Sequence, residues 1–331
     1  TDFPSWERVL KELSAQAEAR EDWAAAAGYL RMAEFFMVPD TPECHAVYDR
    51  AREIFYTHFT YLFAEQGGPI HREEVPYADG VLPCWRIVPA DTSKGAILFH
   101  GGNDSLLEEF TDALLYLAQG GYTVLAFEGP GQGAALRKSG LTFTPEWEKP
   151  VGAVLNHYGA DNVTIIGVSL GGELCMRAAA MEPRIRRVVS WSVLPSIYGA
   201  LMADKPAEIR AKLEHWLDEN NRDAILDLYA GLAEREPLFR WSIQHSNYAY
   251  GTSDVYEYLQ KARAFTIEPV AERITQDVLL LSAREDLLVD FALYKQEIDL
   301  LKNTRSLEFA APGRALNGQA HCNMGNTKYM L

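Results

Sequence analysis

The sequence Gly-Val-Ser-Leu-Gly at residues 167–171 constrains the fold of this chain more than any other feature. It follows an apolar run at 163–166 and precedes a stretch rich in helix-forming residues at 173–180. A G-x-S-x-G sequence between a strand and a helix is typical of a sharp turn that raises a nucleophilic serine above the edge of a sheet. We therefore predict that Ser169 occupies such a turn and acts as the nucleophile.

The residues around Ser169 fit this prediction for steric and electrostatic reasons. Gly167 and Gly171 lack a Cβ atom, so the neighbouring backbone segments can pass close to the turn. The N–H of Leu170, at the start of the following helix, can face the negative charge that develops on a substrate oxygen. We therefore predict Leu170 as one donor of an oxyanion hole.

Short apolar segments alternate with helical segments over most of the chain. The predicted strands are 96–99, 123–127, 163–168, 187–191, 278–282 and 306–309. A hairpin at 70–77 and 81–88, turning at Asp79-Gly80, precedes them. Alternation of this kind favours an α/β fold whose mostly parallel sheet is doubly wound, with helices on both faces.

Two regions depart from this alternation. The N-terminal region predicts one helix over 5–38, capped by Ser5, and a second over 43–66. Residues 197–265 are helical, charged and aromatic, which indicates a lid inserted between two core strands. The predicted organisation is an N-terminal helical segment (1–69), a first core segment (70–196), the lid (197–265) and a second core segment (266–331).

The serine needs an acid and a histidine later in the chain, in that order. Three acids follow the predicted strand at 278–282, namely Glu285, Asp286 and Asp290. We favour Asp286 because the apolar residues after it can hold its loop against the core. The other two are interpreted as a solvated loop charge or a helix N-cap.

His321 is the only histidine that follows these acids. A neutral imidazole there can take the Ser169 proton, while Asp286 fixes the tautomer and stabilises the imidazolium that forms. The sequence therefore predicts a catalytic triad of Ser169, Asp286 and His321.

The second oxyanion donor is expected in the loop after the strand at 96–99, which reads His100-Gly101-Gly102-Asn103. Gly102 and Asn103 are both candidates, and the sequence does not separate them. A second glycine-rich turn, at 128–133, lacks the Lys-Ser/Thr pair of a phosphate loop. We interpret it as a structural loop, with a substrate-facing Glu128 as the alternative.

Composition excludes several partners. The formal net charge of −15 makes nucleic acid and anionic membrane surfaces unexpected partners. No apolar run approaches the ~18 residues of a membrane helix, and no secretory signal is recognisable. The four cysteines and the histidines lack metal-ligand spacing, so we expect no metal and no other cofactor. Unpaired cysteines favour a cytoplasmic location.

The aromatic residues suggest two further contacts. In the predicted lid, Trp241, His245 and Tyr248 are candidates for binding a small-molecule substrate with flat, conjugated groups. In the N-terminal segment, the aromatic residues of 5–66 are dense enough to predict an exposed apolar face. We therefore expect a homodimer that uses these helices.

Several stretches together resemble one group of α/β-hydrolases. They are 100–110 (HGGNDSLLEEF), 127–137 (FEGPGQGAALR), 167–172, 241–259 and 319–326 (QAHCNMGN). The group includes 2,6-dihydroxypseudooxynicotine hydrolase and the fungal hydrolases that shorten polyketide chains, and the fermentation–respiration switch protein is a more distant relative. The resemblance covers most of the chain.

The resemblance implies an α/β-hydrolase fold and hydrolysis of an ester or a ketone-adjacent C–C bond in an aromatic or polyketide-like molecule. Ser246 stands where the group is expected to have a glycine after its lid histidine. The group also leads us to expect a closing helix after His321, and we expect the natural start to lie upstream of Thr1. The alternatives are a peptidase of the prolyl-oligopeptidase type and a catalytically inactive regulatory binding protein. A helical N-terminal region too short for a β-propeller argues against the peptidase, and a complete triad argues against the inactive binder.

Overall fold

The protein is described from a computed structural model that covers residues 2–203 and 205–331. By their internal contacts the residues form two compact units. The helical unit contains the chain up to Pro69 together with His215–Tyr258, and the sheet unit contains Ile70–Glu214 and Leu259–Leu331. The division into four segments from the sequence stays a prediction, and a portion of the expected lid groups here with the N-terminal helices.

The sheet unit is built on eight strands, the first two of which form a hairpin. The strands are β1 Ile70–Tyr77, β2 Gly80–Ile87, β3 Ala96–His100, β4 Thr123–Phe127, β5 Val163–Val168, β6 Ile185–Trp191, β7 Asp277–Leu281 and β8 Ser306–Ala310. Their order in the sheet is β1-β2-β4-β3-β5-β6-β7-β8. The β1–β2 and β2–β4 pairs are antiparallel, and all the other pairs are parallel. The predicted mostly parallel sheet is therefore confirmed.

The α-helices follow one another along the chain and in places alternate with these strands. They are α1 Phe3–Glu18, α2 Trp23–Phe35, α3 Pro42–His58, α4 Thr111–Gln119, α5 Gly133–Ser139, α6 Glu148–Tyr158, α7 Gly171–Met181, α8 Ile197–Ala203, α9 Ala207–Asp218, α10 Arg222–Arg235, α11 Pro237–Tyr250, α12 Val255–Ala262 and α13 Ala292–Leu300. Among the described residues, no helix combines the length and the apolar character needed to cross a membrane.

The strand order reverses at β3, and this reversal positions the functional residues. From β3 the chain continues into β4 on one side, and it later returns as β5 on the other side. Crevices at the carboxyl ends of such strands are where open α/β sheets bind ligands. The loop with Gly102 follows β3 and the turn with Ser169 follows β5, so both predicted elements lie at this edge.

The helical unit has a small apolar core of its own. Helices α1, α2 and α3 pack through side chains that are mostly small, including Ala17, Ala26, Leu30, Ala33, Val47 and Ile54. Alanines at the contacts allow helix axes to approach closely. The dense alanines of this region therefore build an interior.

The predicted single helix over 5–38 is wrong, because the structure has two helices there. The first is capped by Asp2, whose carboxylate accepts the Ser5 N–H at 2.7 Å, so Ser5 is not the cap. The chain then turns at Glu21, where φ is +58°, and Asp22 caps the second helix. An aspartate before an alanine-rich run is an N-cap signal, and the strong helix propensity on both sides obscured it.

Two other predicted boundaries also differ. Helix α3 ends at His58 instead of residue 66, and two short 3₁₀ turns, Thr60–Leu62 and Ala64–Gln66, follow it. In the hairpin, Tyr77 pairs with Gly80, so the two turn residues are at 78 and 79. The turn therefore lies one residue earlier than predicted, and Ala78 supplies the positive φ of +48°.

The aromatic residues of 5–66 do not form the exposed face on which the homodimer prediction rests. Tyr61 is the one aromatic side chain in this range that is largely exposed, at 65%. Others stack on each other within the helical unit, as Trp23 does on His58 with ring centroids 3.5 Å apart. The homodimer stays a prediction, but this surface does not support it.

Candidate active site

Ser169 lies in a sharp turn between β5 and α7. Its φ of +60° falls in the left-handed region, which is strained for a serine and persists only where the surroundings enforce it. The Ser169 N–H donates to the carbonyl of Trp191, the last residue of β6, at 2.7 Å. A Cβ atom on Gly167 would overlap the carbonyl oxygen of Gly171, so only glycine fits at that position.

The structure brings the three predicted triad residues together. The Oγ atom of Ser169 lies 2.8 Å from Nε2 of His321, and Nδ1 of His321 lies 2.7 Å from Oδ2 of Asp286. A carboxylate only accepts, so Nδ1 carries the proton and Nε2 is left to accept from the serine hydroxyl. This is the tautomer that general-base removal of the serine proton requires.

Asp286 is held in its ionised form by hydrogen bonds. Burial favours the neutral acid, but the bond from His321 and the backbone N–H groups of Leu288 and Val289 outweigh it and lower the pKa of Asp286. The two backbone groups donate to Oδ1 at 2.8 and 3.0 Å. The Asp286 side chain is only 3% exposed, so water does not displace these donors.

The pKa of His321 is shifted in the opposite direction to that of Asp286. Burial lowers the pKa of His321, but the Asp286 carboxylate and the neighbouring Cys322 thiol raise it above its ordinary value. The imidazolium that forms when His321 takes a proton is therefore stabilised in place.

The other two candidate acids have different partners. The Glu285 carboxylate pairs with the Arg314 guanidinium, with contacts of 2.6 and 2.7 Å. The Asp290 carboxylate accepts the N–H of Ala292 at 2.8 Å, at the start of α13. Glu285 therefore has a charged partner, Asp290 lies next to the N-cap Phe291, and Asp286 is the acid that contacts the histidine.

The loop after β3 lies directly against the turn that carries Ser169. A Cβ atom on Gly102 would come within 2.7 Å of the Ser169 Cβ and 2.9 Å of the Leu170 nitrogen. Only glycine allows the loop to come this close to the turn. Gly102 and Leu170, two of the predicted oxyanion residues, are therefore neighbours. The N–H of Gly102 donates to Ser105 Oγ at 3.1 Å, which is a competing partner for that candidate donor.

Gln132 holds this loop in place, although its sequence pattern did not predict this role. The Gln132 side chain is buried; its amide nitrogen donates to the carbonyls of Gly101 and Gly102, at 2.8 and 2.9 Å. Its amide oxygen accepts the Gly129 N–H at 2.8 Å. Because peptide units are planar, fixing the Gly102 carbonyl also fixes the direction of the Asn103 N–H. The feature of the sequence that could have indicated this role is the glycine-rich turn at 128–133, which contains Gln132.

His100 supports the same loop from inside the core. It is fully buried, and this burial lowers its pKa to about 4, although a bond to Gly101 acts in the opposite direction. Its Nε2 accepts from the indole N–H of Trp147 at 3.2 Å, and Nδ1 lies 3.0 Å from the Gly101 carbonyl oxygen. His100 is therefore a neutral structural residue at neutral pH.

The contacts of Glu128 fit the structural role expected for its loop, and a role in substrate binding stays a prediction. Its two carboxylate oxygens accept the backbone N–H groups of Leu107 and Ala134, at 3.1 and 2.6 Å. The side chain is buried, and a Cβ on Gly133 would overlap it. Both oxygens are used to join backbone segments, so the structural role is the one supported.

The three predicted lid contacts lie on α11 in the helical unit. Trp241 stacks on Phe35 with ring centroids 5.1 Å apart, and His245 stacks on Trp241 at 5.3 Å. Tyr248 meets His45 edge to face at 6.5 Å. These contacts are packing within that unit, and a role of the three residues in substrate binding stays a prediction.

The side chains that commonly bind metals are not clustered in the described chain. Within residues 2–203 and 205–331, no three His, Cys, Asp or Glu side chains are arranged to hold a metal ion. Cys44, Cys84 and Cys175 are buried, Cys322 is partly buried, and none of these four cysteines forms a disulfide.

Comparison with known proteins identifies the family of the chain. The model of the α/β hydrolase fold family matches residues 97–317. Hydrolase LUC6 of Fusarium sp is 28% identical over 304 residues, which cover 81% of this chain and 70% of the relative. Hydrolyase ccsE of Aspergillus clavatus is 30% identical over 329 residues, which cover 86% of this chain and 73% of the relative.

A solved structure shares the fold over nearly the whole chain. The 2,6-dihydroxy-pseudo-oxynicotine hydrolase superposes with a TM-score of 0.68 at 19% identity, and the match covers 99% of this chain and 85% of that one. The resemblance inferred from the motifs is confirmed. The chain belongs to the α/β hydrolase fold family.

Proposed function

We propose that this α/β hydrolase is a serine hydrolase that works through an acyl-enzyme. Ser169 is the nucleophile, His321 the general base and Asp286 the orienting acid. One observation carries the proposal: a continuous chain of two hydrogen bonds, of 2.8 and 2.7 Å, runs from the serine hydroxyl to the buried carboxylate. A serine activated by an adjacent base, itself oriented by a third group, is the arrangement of nucleophilic catalysis.

In the first half of the reaction Ser169 Oγ bonds to the substrate carbonyl carbon, and its proton passes to His321 Nε2. The carbonyl oxygen becomes an oxyanion, for which the Leu170 N–H and an N–H of Gly102 or Asn103 are the proposed donors. The bond to the leaving group then breaks, and His321 returns the proton to that group. An ester releases an alcohol and leaves the acyl group on Ser169.

In the second half, His321 takes a proton from water as the water oxygen attacks the acyl-enzyme. Collapse of this intermediate gives the carboxylic acid and restores the Ser169 hydroxyl. The same steps cleave a C–C bond when the leaving carbon is stabilised as an enolate by a neighbouring ketone and takes the proton from His321. Simple alkyl ketones therefore should not react.

We propose a neutral or weakly acidic aromatic or polyketide-like carbonyl compound as the substrate. The motif resemblance and the aromatic side chains of α11 support this class. Trp241, His245 and Tyr248 would contribute rings that suit flat, conjugated groups. The net charge of −15 argues against a strongly anionic substrate.

The proposed mechanism uses no cofactor, because the serine, the histidine and the acid supply all the chemistry. Activity is expected to survive dialysis against EDTA. Complete loss of activity that is restored by zinc would contradict the serine mechanism.

The experiment that tests the function is a substrate panel of p-nitrophenyl esters and aryl 1,3-diketones, run on wild type and Ser169→Ala. We expect turnover of at least one class, with an initial burst of product if deacylation is slow. Hydrolysis of the panel by Ser169→Ala at the wild-type rate would contradict the proposal.

The substrate class is tested with two variants of α11. Trp241→Ala and Tyr248→Ala should raise KM for aryl substrates more than for short acetyl esters.

A further inference from the structure

Asn323 uses its side-chain amide to join separate segments of the sheet unit. Its Oδ1 accepts the indole N–H of Trp191 at 3.0 Å. Its Nδ2 donates to the carbonyl of Ser282 at 2.9 Å and to the carbonyl of Gly318 at 2.7 Å. Asn323 is only 1% exposed, so these bonds do not compete with bulk water.

The partners of Asn323 belong to the segments that carry the three triad residues. Trp191 ends β6, and its carbonyl accepts the Ser169 N–H at 2.7 Å. Ser282 follows β7 and lies four residues before Asp286. Gly318 and Asn323 lie on either side of His321 in its loop. One amide therefore connects the nucleophile turn, the acid loop and the histidine loop.

The backbone of the histidine loop needs such a restraint. Cys322 and Asn323 have φ values of +51° and +55°, so two consecutive residues other than glycine adopt the left-handed conformation. This region is unfavourable for side chains with a Cβ, and it persists where surrounding contacts enforce it. One further direct link between these loops is the bond from the Glu285 N–H to the Gln319 carbonyl, at 2.9 Å.

We propose that Asn323, through its bond to Trp191, is a positioning residue that sets the alignment of His321 between Ser169 and Asp286. The inference rests on the proposed serine mechanism. Asn323 does not contact the reacting atoms, and it acts through the loop that it restrains. Catalysis depends steeply on such alignment, since a displacement of about 1 Å can cost ~10²-fold in rate.

The test uses two variants that remove these bonds, a leucine with the branched shape of asparagine and a phenylalanine that keeps an aromatic ring. Asn323→Leu removes all three hydrogen bonds, and Trp191→Phe removes only the donor to Oδ1. The matched control is Asn326→Leu in the same loop, because the Asn326 amide donates to the carbonyl of Leu316, at 2.7 Å. Each variant is measured for thermal unfolding, for kcat and KM on an activated ester, for the pH profile, and for the rate of labelling by a fluorophosphonate.

We expect Asn323→Leu to lower kcat and the labelling rate by about 10²-fold while KM stays close to wild type. Trp191→Phe should show a smaller loss in the same direction. The acid limb of the pH profile should move to lower pH in both, because His321 then interacts less with Asp286. The control should keep the wild-type kcat and pH profile.

A folded Asn323→Leu with wild-type kcat and pH profile would overturn the inference, even if its melting temperature fell, because the role would then be structural only. If Asn323→Leu does not fold, Trp191→Phe decides in the same way. Failure of the proposed function would give a different result, because the fluorophosphonate would then not label Ser169 in wild type. Labelled wild type with an unchanged Asn323→Leu refutes only the positioning role.

Discussion

Nε2 of His321 lies 2.8 Å from Oγ of Ser169, although 152 residues separate the two in the chain. The contact forms because β5 carries Ser169 to the carboxyl edge of the sheet, and the loop after β8 brings His321 back to the same edge. Whether this contact activates the serine depends on a third group, the Asp286 carboxylate that lies at Nδ1 of His321.

The first prediction concerns that carboxylate. Asp286→Asn should lower kcat by roughly 10³-fold or more, because the amide no longer holds the His321 tautomer or stabilises the imidazolium. Asp290→Asn is the control, since the Asp290 carboxylate accepts the Ala292 N–H and does not bond to the histidine. Steady-state kinetics on both variants measures the loss of kcat in each. If Asp290→Asn were the more damaging change, the acid would be wrongly assigned.

The second prediction concerns pH. Only neutral His321 accepts a proton, so kcat/KM should rise with pH through the pKa of His321. The Asp286 carboxylate raises this pKa above the usual 6.5 against the effect of burial. In Asp286→Asn burial is no longer opposed in this way, so the residual activity should rise at a lower pH than in wild type. A limb that moves to higher pH would contradict the electrostatic role of Asp286.

The third prediction concerns the loop after β3. Gln132→Met should lower kcat by roughly 10- to 10²-fold, below the ~10²–10³-fold loss typical when an oxyanion donor is removed outright. The reason is that the Gly101 and Gly102 carbonyls lose their shared donor. Gln276→Met is the control, because the Gln276 amide also donates to a backbone carbonyl, that of Ala179 in α7, at 2.7 Å. Equal losses in the two variants would indicate general destabilisation instead of loop positioning.

The three side chains that meet at this edge of the sheet could be chosen from the sequence because the proposed chemistry fixes the order of residue types. The required order is a serine turn, then an acid, then a histidine. In this sequence that order left one histidine, His321, and three candidate acids. The structure separates the acids by their partners, which no local pattern encodes. Asp286 accepts two backbone N–H groups of its own loop, whereas Glu285 pairs with Arg314.

The supporting amides were not predictable in the same way. Gln132 and Asn323 are polar residues in loops, where the usual expectation is solvent exposure, and their partners lie far away in the chain. Their burial depends on tertiary packing that has no periodic signal. The break between α1 and α2 was missed for a different reason, since helix propensity on both sides outweighed the cap at Asp22.

The fourth prediction concerns stability. Glu173 on α7 and Glu297 on α13 are fully buried, and burial raises the pKa of each to about 8 from 4.5. The unfolded chain releases these protons above pH 4.5, whereas the folded chain keeps them until about pH 8. Stability from this source is therefore present at low pH and decreases between these two values.

Glu173→Gln and Glu297→Gln should accordingly raise the melting temperature more near pH 8.5 than near pH 5, because glutamine needs no proton to be neutral. Thermal unfolding at the two pH values tests this, with the same change at exposed Glu208 as the control. A benefit that is equal at both pH values would mean that ionisation of these carboxyls does not limit stability.

The identity of the nucleophile is tested most directly by labelling with a fluorophosphonate, followed by intact mass and peptide mapping. A serine that an adjacent histidine activates forms a stable phosphonyl adduct, and a serine without such a base does not. We expect close to one adduct per chain on Ser169 in wild type, and none in Ser169→Ala that is folded by circular dichroism. An unlabelled wild type, or an equally labelled Ser169→Ala, would contradict it.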